Sequence, residues 1–144
     1  MPRPYQAIAI LALLAACSGT QQYTGPAEKN LKVLTTAVGA GVVMGVHRLD
    51  EKCFARYEGT VTLDRPTIEV GLPSGRLTLL VFEFYSLSVF SSNRSLRREA
   101  KIEPRPGYRY EAIVTYKDSL YNVELREIDP RSGAARELDT RRGC

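Results

Sequence analysis

The sequence predicts an all-β fold, a small antiparallel β-sandwich of about seven or eight short strands. Three observations indicate this class. After Asp50, apolar and polar residues alternate over short stretches, which is the period of a half-buried strand. Clusters of Gly, Pro, Asp and Ser separate these stretches at regular spacing. The 3.6-residue period of an amphipathic helix is almost absent from this part of the chain.

The first element is the most ambiguous, because residues 33–46 allow two interpretations. Ala37, Gly41 and Gly45 recur every four residues, and on a helix they would line one face. Against a helix, the β-branched residues and glycines of this stretch lower helix propensity. We therefore expect a loop that runs into a strand at about 42–49, with a short glycine-zipper helix as the alternative.

Three strands are expected next. The segment LDEKC predicts a turn, and residues 57–63 and 66–72 then alternate apolar and polar side chains. After the turn PSG, residues 79–82 are apolar at every position. A strand with that pattern is covered on both faces, so we expect it in the middle of a sheet.

Four strands are expected in the second half of the chain. One lies near 96–103, after a polar loop, and the next alternates cleanly over 108–117. The turn KDS then leads into a second alternating strand at 121–126, which predicts a tyrosine-rich antiparallel hairpin. The turn DPRSG precedes a last short strand near 135–138.

The first 16 residues have the pattern of a secretory signal peptide. Arg3 and the amino terminus supply positive charge, 7–14 is a short apolar run, and small residues follow it. The run is shorter than the roughly 20 residues that a helix needs to cross a bilayer. We expect this segment to be cleaved.

Leu14-Ala15-Ala16-Cys17 resembles the lipobox of bacterial lipoproteins. The resemblance implies that Cys17 begins the mature chain and carries acyl groups, which anchor the protein to a membrane. Ser18 stands where the inner-membrane retention signal of that family has Asp. The resemblance therefore implies an outer-membrane protein facing the periplasm if the host is Gram-negative. The alternative is ordinary cleavage near Ala16 that leaves a plain thiol at Cys17.

These features predict three segments. Residues 1–16 form the cleaved signal peptide, 17–30 the lipidated cysteine and a flexible polar tether, and 31–144 the β-sandwich domain. With Cys17 lipidated, Cys53 and Cys144 remain in an exported chain and are expected to form a disulfide. A zinc or redox pair is the less favoured alternative, because the chain has no CxxC motif and one histidine.

A second resemblance covers about residues 45–138. The segments RLDEKC, VGLPSGRLTLLVFEF, IEPRPGYRYEAIVTY and YNVELREIDPRSG look like those of small lipoproteins with a PEGA-like or transthyretin-like β-sandwich. Glu51 stands where such proteins often have Gly after the Asp. The resemblance implies a sandwich fold and carries no catalytic residue. Transthyretin-like lipoproteins of secretion systems suggest, by analogy, a role in an envelope assembly.

The sequence predicts neither an enzyme nor a nucleic-acid-binding protein. It has no nucleophile, metal-ligand or phosphate-loop motif, so we expect no catalytic residue, metal or cofactor. His47, the single histidine, lies in an expected strand and is predicted to be structural or exposed. The net charge of +4 is modest, and no basic motif interleaved with aromatic residues accompanies it.

Two groups of residues are candidates for binding. Arg94, Arg97, Arg98 and Lys101 are close in sequence and could bind an anionic partner, although a solvated edge is the simpler interpretation. Tyrosines 108, 110, 116 and 121 could line a carbohydrate or peptide site, or the core. The leading hypothesis is an interaction subunit of an envelope assembly with a protein partner. The alternative is a binder of lipopolysaccharide or peptidoglycan.

Overall fold

A computed structural model describes residues 19–38, 41–85, 95–117 and 120–139, and within them the chain forms strands and no helix. The predicted all-β sandwich is confirmed. The strands are β1 (Leu31–Thr35), β2 (Val42–Leu49), β3 (Ala55–Thr62), β4 (Thr67–Val70), β5 (Thr78–Tyr85), β6 (Ser95–Ile102), β7 (Arg109–Lys117), β8 (Leu120–Ile128) and β9 (Ala135–Glu137).

The strands form two sheets that pack face to face. The five-stranded sheet has the order β4-β1-β7-β8-β9, and the four-stranded sheet has the order β3-β2-β5-β6. Because side chains alternate along each strand, each sheet turns one apolar face toward the other. The largest side chains of the shared core include Tyr110, Phe82, Phe84, Leu31, Met44, Leu80 and Leu125.

Two strand predictions are confirmed in detail. β2 begins at Val42 and ends at Leu49, where the sequence predicted a strand. β5 lies between β2 and β6, and Leu79 to Phe82 are all buried. Leu80 and Phe82 belong to the core, whereas Leu79 and Val81 join Leu49 in a smaller apolar cluster on the outer face of the sheet.

β1 is the strand that the sequence interpretation missed. Leu31, Val33 and Thr35 are buried, and the strand lies between β4 and β7 in the five-stranded sheet. Its pairing with β7 is parallel, whereas the other described ladders between these strands are antiparallel. The glycine-zipper helix is wrong for the described residues of 33–46, because these form the end of β1, a turn and the start of β2.

The N-terminal segment lies along the edge of β3. Thr60 N donates to Gln21 O at 2.8 Å, and Tyr23 N donates to Thr60 O at 3.0 Å. Gln22 thereby forms a parallel bridge with Thr60. The edge strand β3 offers unpaired backbone groups, and this segment satisfies some of them.

The same segment continues along the end of β4. The Tyr23 hydroxyl donates to Gly71 O at 3.0 Å. The Asn30 side chain donates to Leu72 O at 2.8 Å and accepts from Leu72 N at 2.7 Å. The sequence predicted a flexible tether up to residue 30, whereas the structure holds residues 21–23 and Asn30 on the sandwich by backbone pairing and these side-chain bonds.

Candidate functional site

Of the four predicted cationic residues, the three that the structure describes do not form one surface. Arg97 lies opposite Glu83 on the outer face of its sheet, whereas Arg98 lies opposite the core residue Phe82. Neighbouring residues of a strand point to opposite faces, so closeness in sequence separates these two side chains. Arg94 lies outside the described residues.

Acidic side chains also interrupt the cations on the outer face. Arg97 Nη2 contacts Glu99 Oε1 at 2.7 Å. Lys101 follows Glu99 on the same face, so charges alternate in sign along β6. Partnered surface charges attract a polyanion less than free ones do, and β6 therefore resembles a guarded sheet edge more than an anion site.

Cys53 lies in a tight turn between β2 and β3 and is in a disulfide bond. The Asp50 carboxylate accepts from Lys52 N at 2.8 Å and from Phe54 N at 2.9 Å, and Cys53 N donates to Asp50 O at 2.9 Å. Cys53 itself has a φ of 65°. Its predicted partner Cys144 and the predicted lipidation site Cys17 lie outside the described residues, so both assignments stay predictions.

A buried carboxylate on β8 is the polar cluster that the sequence interpretation missed. Glu127 is 6% exposed. Arg105 Nε donates to Glu127 Oε2 at 3.0 Å, and the Arg105 Nη2 group contacts the other oxygen. Arg136 Nη2 donates at 2.9 Å and the Tyr110 hydroxyl at 3.1 Å.

This cluster has the features of a structural clamp. It links β7, β8 and β9 to the turn before β7, and Arg105 also lies 3.8 Å from the ring centre of Tyr108. Burial raises the pKa of Glu127, but hydrogen bonds from Arg105, Tyr110 and Arg136 outweigh it and hold the pKa below its ordinary value. The same side chains line a cavity of about 310 Å³ beside the turn after β8. Within it the carboxylate is paired with both guanidinium groups, as expected for a stabilising network.

The sequence carried a signal for this cluster. Glu127 follows Val123 and Leu125 at two-residue spacing, so it occupies the inward-facing side of β8. An acidic residue at such a position needs a cationic partner. The sequence does not identify the partners, because Arg105 and Arg136 reach Glu127 only through the packing of other elements.

The four candidate tyrosines divide between the two ends of the sandwich. Tyr110 is core, and Tyr108 packs beneath Arg105. Tyr116 and Tyr121 lie at the opposite end, where their rings stack with centres 4.4 Å apart. Tyr121 also stacks on buried Phe84 at 4.1 Å. The four residues therefore do not line one site.

The end that holds Tyr116 and Tyr121 exposes apolar surface. We name it the aromatic end. It lies where β1 and β7 end and β8 begins, because β1 is parallel to β7 and β8 is antiparallel to it. β5 of the other sheet ends there too, since Phe84 stacks on Tyr121. Tyr116 is 47% and Leu120 69% exposed. The residues of the aromatic end are Val38, Tyr116 and Tyr121, with Tyr85 and Leu120 on the outer faces of the two sheets at the same end.

His47 lies on the outer face of β2 and packs against an aromatic ring. Its ring centre is 5.3 Å from that of Tyr57, in an edge-on arrangement. Burial, and then the charge of Arg97, lower the pKa of His47 below its ordinary value. The imidazole covers the surface beside Gly45. A Cβ added to Gly45 would lie 3.2 Å from His47 Nε2.

The described part of the chain contains neither a metal-binding cluster nor a membrane-spanning helix. No group of three or more His, Cys, Asp or Glu residues there is arranged to hold a metal ion. None of its segments forms a helix with the length and apolar character that a membrane span requires.

Comparison with known proteins adds no assignment. No protein family matches the chain, and neither a curated protein nor a solved structure does so. The described part of the chain is thus a small β-sandwich that exposes apolar and aromatic side chains at the aromatic end. The resemblances to lipoproteins and to PEGA-like or transthyretin-like domains stay predictions.

Proposed function

We propose that this protein is a lipid-anchored lipoprotein of the bacterial cell envelope that acts as a non-enzymatic interaction or accessory subunit. The anchor rests on the apolar run at 7–14 followed by Leu14-Ala15-Ala16-Cys17. If the host is Gram-negative, Ser18 favours the outer membrane, with the domain in the periplasm. The interaction role rests on the aromatic end.

The observation that carries the interaction role is the exposed, pre-ordered apolar surface of the aromatic end. The rings of Tyr116, Tyr121 and Phe84 form a continuous stack that begins in the core. Leu120 lies at the same end on the outer face of β8 and is 69% exposed. Rings already held by stacking lose little freedom on binding, and aromatic residues are enriched in the buried centres of protein interfaces.

A protein partner fits this surface better than a polyanion does. Stacked rings and aliphatic side chains contribute through burial of apolar area, which salt does not screen. The alternative function, binding lipopolysaccharide or peptidoglycan, would depend on Arg97 and Arg98. An arginine-based polymer site would weaken steeply as ionic strength rises.

Photo-crosslinking in intact cells tests the interaction role. A benzoylphenylalanine at position 120 is expected to capture a protein that remains associated at high salt after detergent purification. The matched control carries the same group at Arg131, an exposed turn residue beyond β8. Equal capture at both positions, or no protein at position 120, would contradict the proposal.

The polymer alternative has its own test. An Arg97→Glu, Arg98→Glu chain should lose binding to purified lipopolysaccharide or peptidoglycan if that function is correct. Our proposal predicts that this variant retains its crosslink at position 120. Recovery of wall or lipopolysaccharide fragments alone, released at high salt, would favour the alternative.

The anchor is tested by intact mass. The mature chain is expected to begin at Cys17 and to carry the mass of its acyl groups, and Cys17→Ser should abolish both. A mature chain with an unmodified Cys17 would contradict the anchor and leave the interaction role to the crosslinking result.

A further inference from the structure

We propose that the start of the β3 edge rests on the lipid surface that holds Cys17. We name residues 54–57 the anchor-side edge. The inference depends on the proposed lipid anchor and adds an orientation of the domain on the membrane. It follows from the direction of the N-terminal segment, the length of chain left before Cys17, and the exposed aromatic side chains nearby.

The direction of the N-terminal segment comes from its pairing. Gln22 bridges Thr60 in parallel. Going backward along the chain from Gln22 therefore follows β3 backward from Thr60 toward Ala55. Two further contacts hold Gln21 beside β3: Tyr57 donates from its hydroxyl to Gln21 O at 3.2 Å, and Thr60 N donates to the same oxygen at 2.8 Å.

The remaining chain is too short to hold the domain far from the bilayer. Cys17 is four residues before Gln21, and a fully extended chain covers at most about 3.6 Å per residue. The acylated residue is therefore within about 14 Å of Gln21. A free tether over 18–30 would have let the domain move in every direction, but residues 21–23 are paired with β3.

Exposed aromatic side chains lie on the side toward which this segment leads. Phe54 is 70% exposed and Tyr57 is 42% exposed. The turn before Phe54 is fixed by the Asp50 carboxylate and by the disulfide at Cys53. Phe54 is thus presented on a rigid support, and an aromatic ring so placed gains by entering the interfacial layer of a membrane.

Charge does not drive this contact. Lys52 and Arg56 are near Phe54, but Asp50 and Glu51 are also near, and Arg48 pairs with Glu58 at 3.6 Å. The anchor-side edge is close to neutral, so attraction to anionic headgroups is weak. Contact through aromatic burial should persist at high salt, which distinguishes it from the adsorption of a basic patch.

Tryptophan fluorescence tests the orientation directly, because the chain contains no Trp. Phe54→Trp places a single reporter on the anchor-side edge, and Leu120→Trp is the matched control at the aromatic end. Each mature, acylated chain is placed in vesicles of phosphatidylethanolamine and phosphatidylglycerol with brominated acyl chains. We expect at least about two-fold quenching of the indole in the Phe54→Trp chain relative to unbrominated vesicles, and little quenching in the Leu120→Trp chain.

The outcomes separate the orientation from the anchor. Intact mass of the same samples reports acylation, so an unacylated mature chain would overturn the anchor and this inference with it. An acylated Phe54→Trp chain that is unquenched, or is quenched no more than the Leu120→Trp chain, would overturn the orientation alone. An Ala55→Trp variant, at an exposed position of the same edge, repeats the measurement if Phe54→Trp fails to fold, with the same expected quenching.

Discussion

At the residue scale, the most consequential side chain of the folded domain is the buried carboxylate of Glu127. It accepts hydrogen bonds from two arginines and a tyrosine. A buried charge is tolerated only when its partners compensate for lost hydration. The clamp therefore stabilises the fold only while the carboxylate is ionised.

We predict that Glu127→Gln destabilises the protein by about 2 kcal/mol, because it leaves the guanidinium groups of Arg105 and Arg136 without a carboxylate between them. Denaturant unfolding measures the change. The control is Glu124→Gln, a more exposed carboxylate on the same strand that pairs with Arg126. Glu124→Gln should lower the free energy of unfolding by less than about 1 kcal/mol. Equal losses in the two variants would contradict the clamp.

The pKa of Glu127 adds a pH dependence with a definite sign. Hydrogen bonds hold this pKa below its ordinary value of 4.5 in the folded state despite burial. The unfolded chain therefore takes up the proton first, so this stabilisation is complete above about pH 4.5 and is lost as the pH falls through the folded pKa. Glu127→Gln should flatten this acid loss, and Glu124→Gln should retain it. Unfolding curves measured across this pH range in both variants test the prediction. An equal acid loss of stability in the two variants would contradict it.

At the element scale, the pairing of residues 21–23 with β3 depends on Gly59. Its φ is 145°, and a Cβ there would lie 2.6 Å from Tyr23 Cα. Both the backbone conformation and the contact require glycine. The chain can thus pass over the edge of β3 because one residue of that strand has no side chain.

We predict that Gly59→Ala releases this segment and destabilises the protein by about 2 kcal/mol or more, because the clash is with backbone. Hydrogen exchange at the Tyr23 amide should become much faster. Gly75→Ala is the matched control, since Gly75 has a φ of 70° but nothing within 4 Å of an added Cβ. Gly75→Ala should lower the free energy of unfolding by only about 1 kcal/mol, from backbone strain. Unchanged exchange at Tyr23 in Gly59→Ala would contradict the prediction.

The elements differ in how well the sequence predicted them. β7 and β8 alternate over nine residues each, and their period gives both their existence and their inward side. β1 has five residues and is followed by glycines, so its pattern was too short to separate it from a loop. Its parallel pairing with β7 joins distant parts of the chain, which local pattern does not encode.

At the scale of the whole molecule, the two ends of the sandwich differ in chemistry. β2 pairs with both β3 and β5, so Phe54 lies near the end where β5 begins and Tyr85 lies at the other. An eight-residue strand spans roughly 25 Å. A domain resting on the anchor-side edge would therefore hold the aromatic end away from the lipid surface, accessible to an envelope partner.

The disulfide acts at this scale too. If Cys53 pairs with Cys144, the bridge closes a loop of about 91 residues, which contributes roughly 4–5 kcal/mol in the chain-entropy description. We predict that Cys53→Ser lowers the free energy of unfolding by an amount approaching this, whereas Cys17→Ser leaves it unchanged. Non-reducing peptide mapping should link the peptides of Cys53 and Cys144. A link between Cys53 and Cys17 would contradict the assignment.

The sequence by itself determined the all-β class, the position of β2, the buried setting of β5 and the inward side of β7 and β8. Each of these depends on the local period of apolar residues, which a strand imposes on its own sequence. The tertiary structure decided the rest: the parallel β1–β7 pair, the partners of Glu127, the separation of Arg97 from Arg98, and the attachment of residues 21–23 and Asn30. These depend on which distant residues face one another across a sheet or a sandwich, and that is settled by packing and not by spacing along the chain.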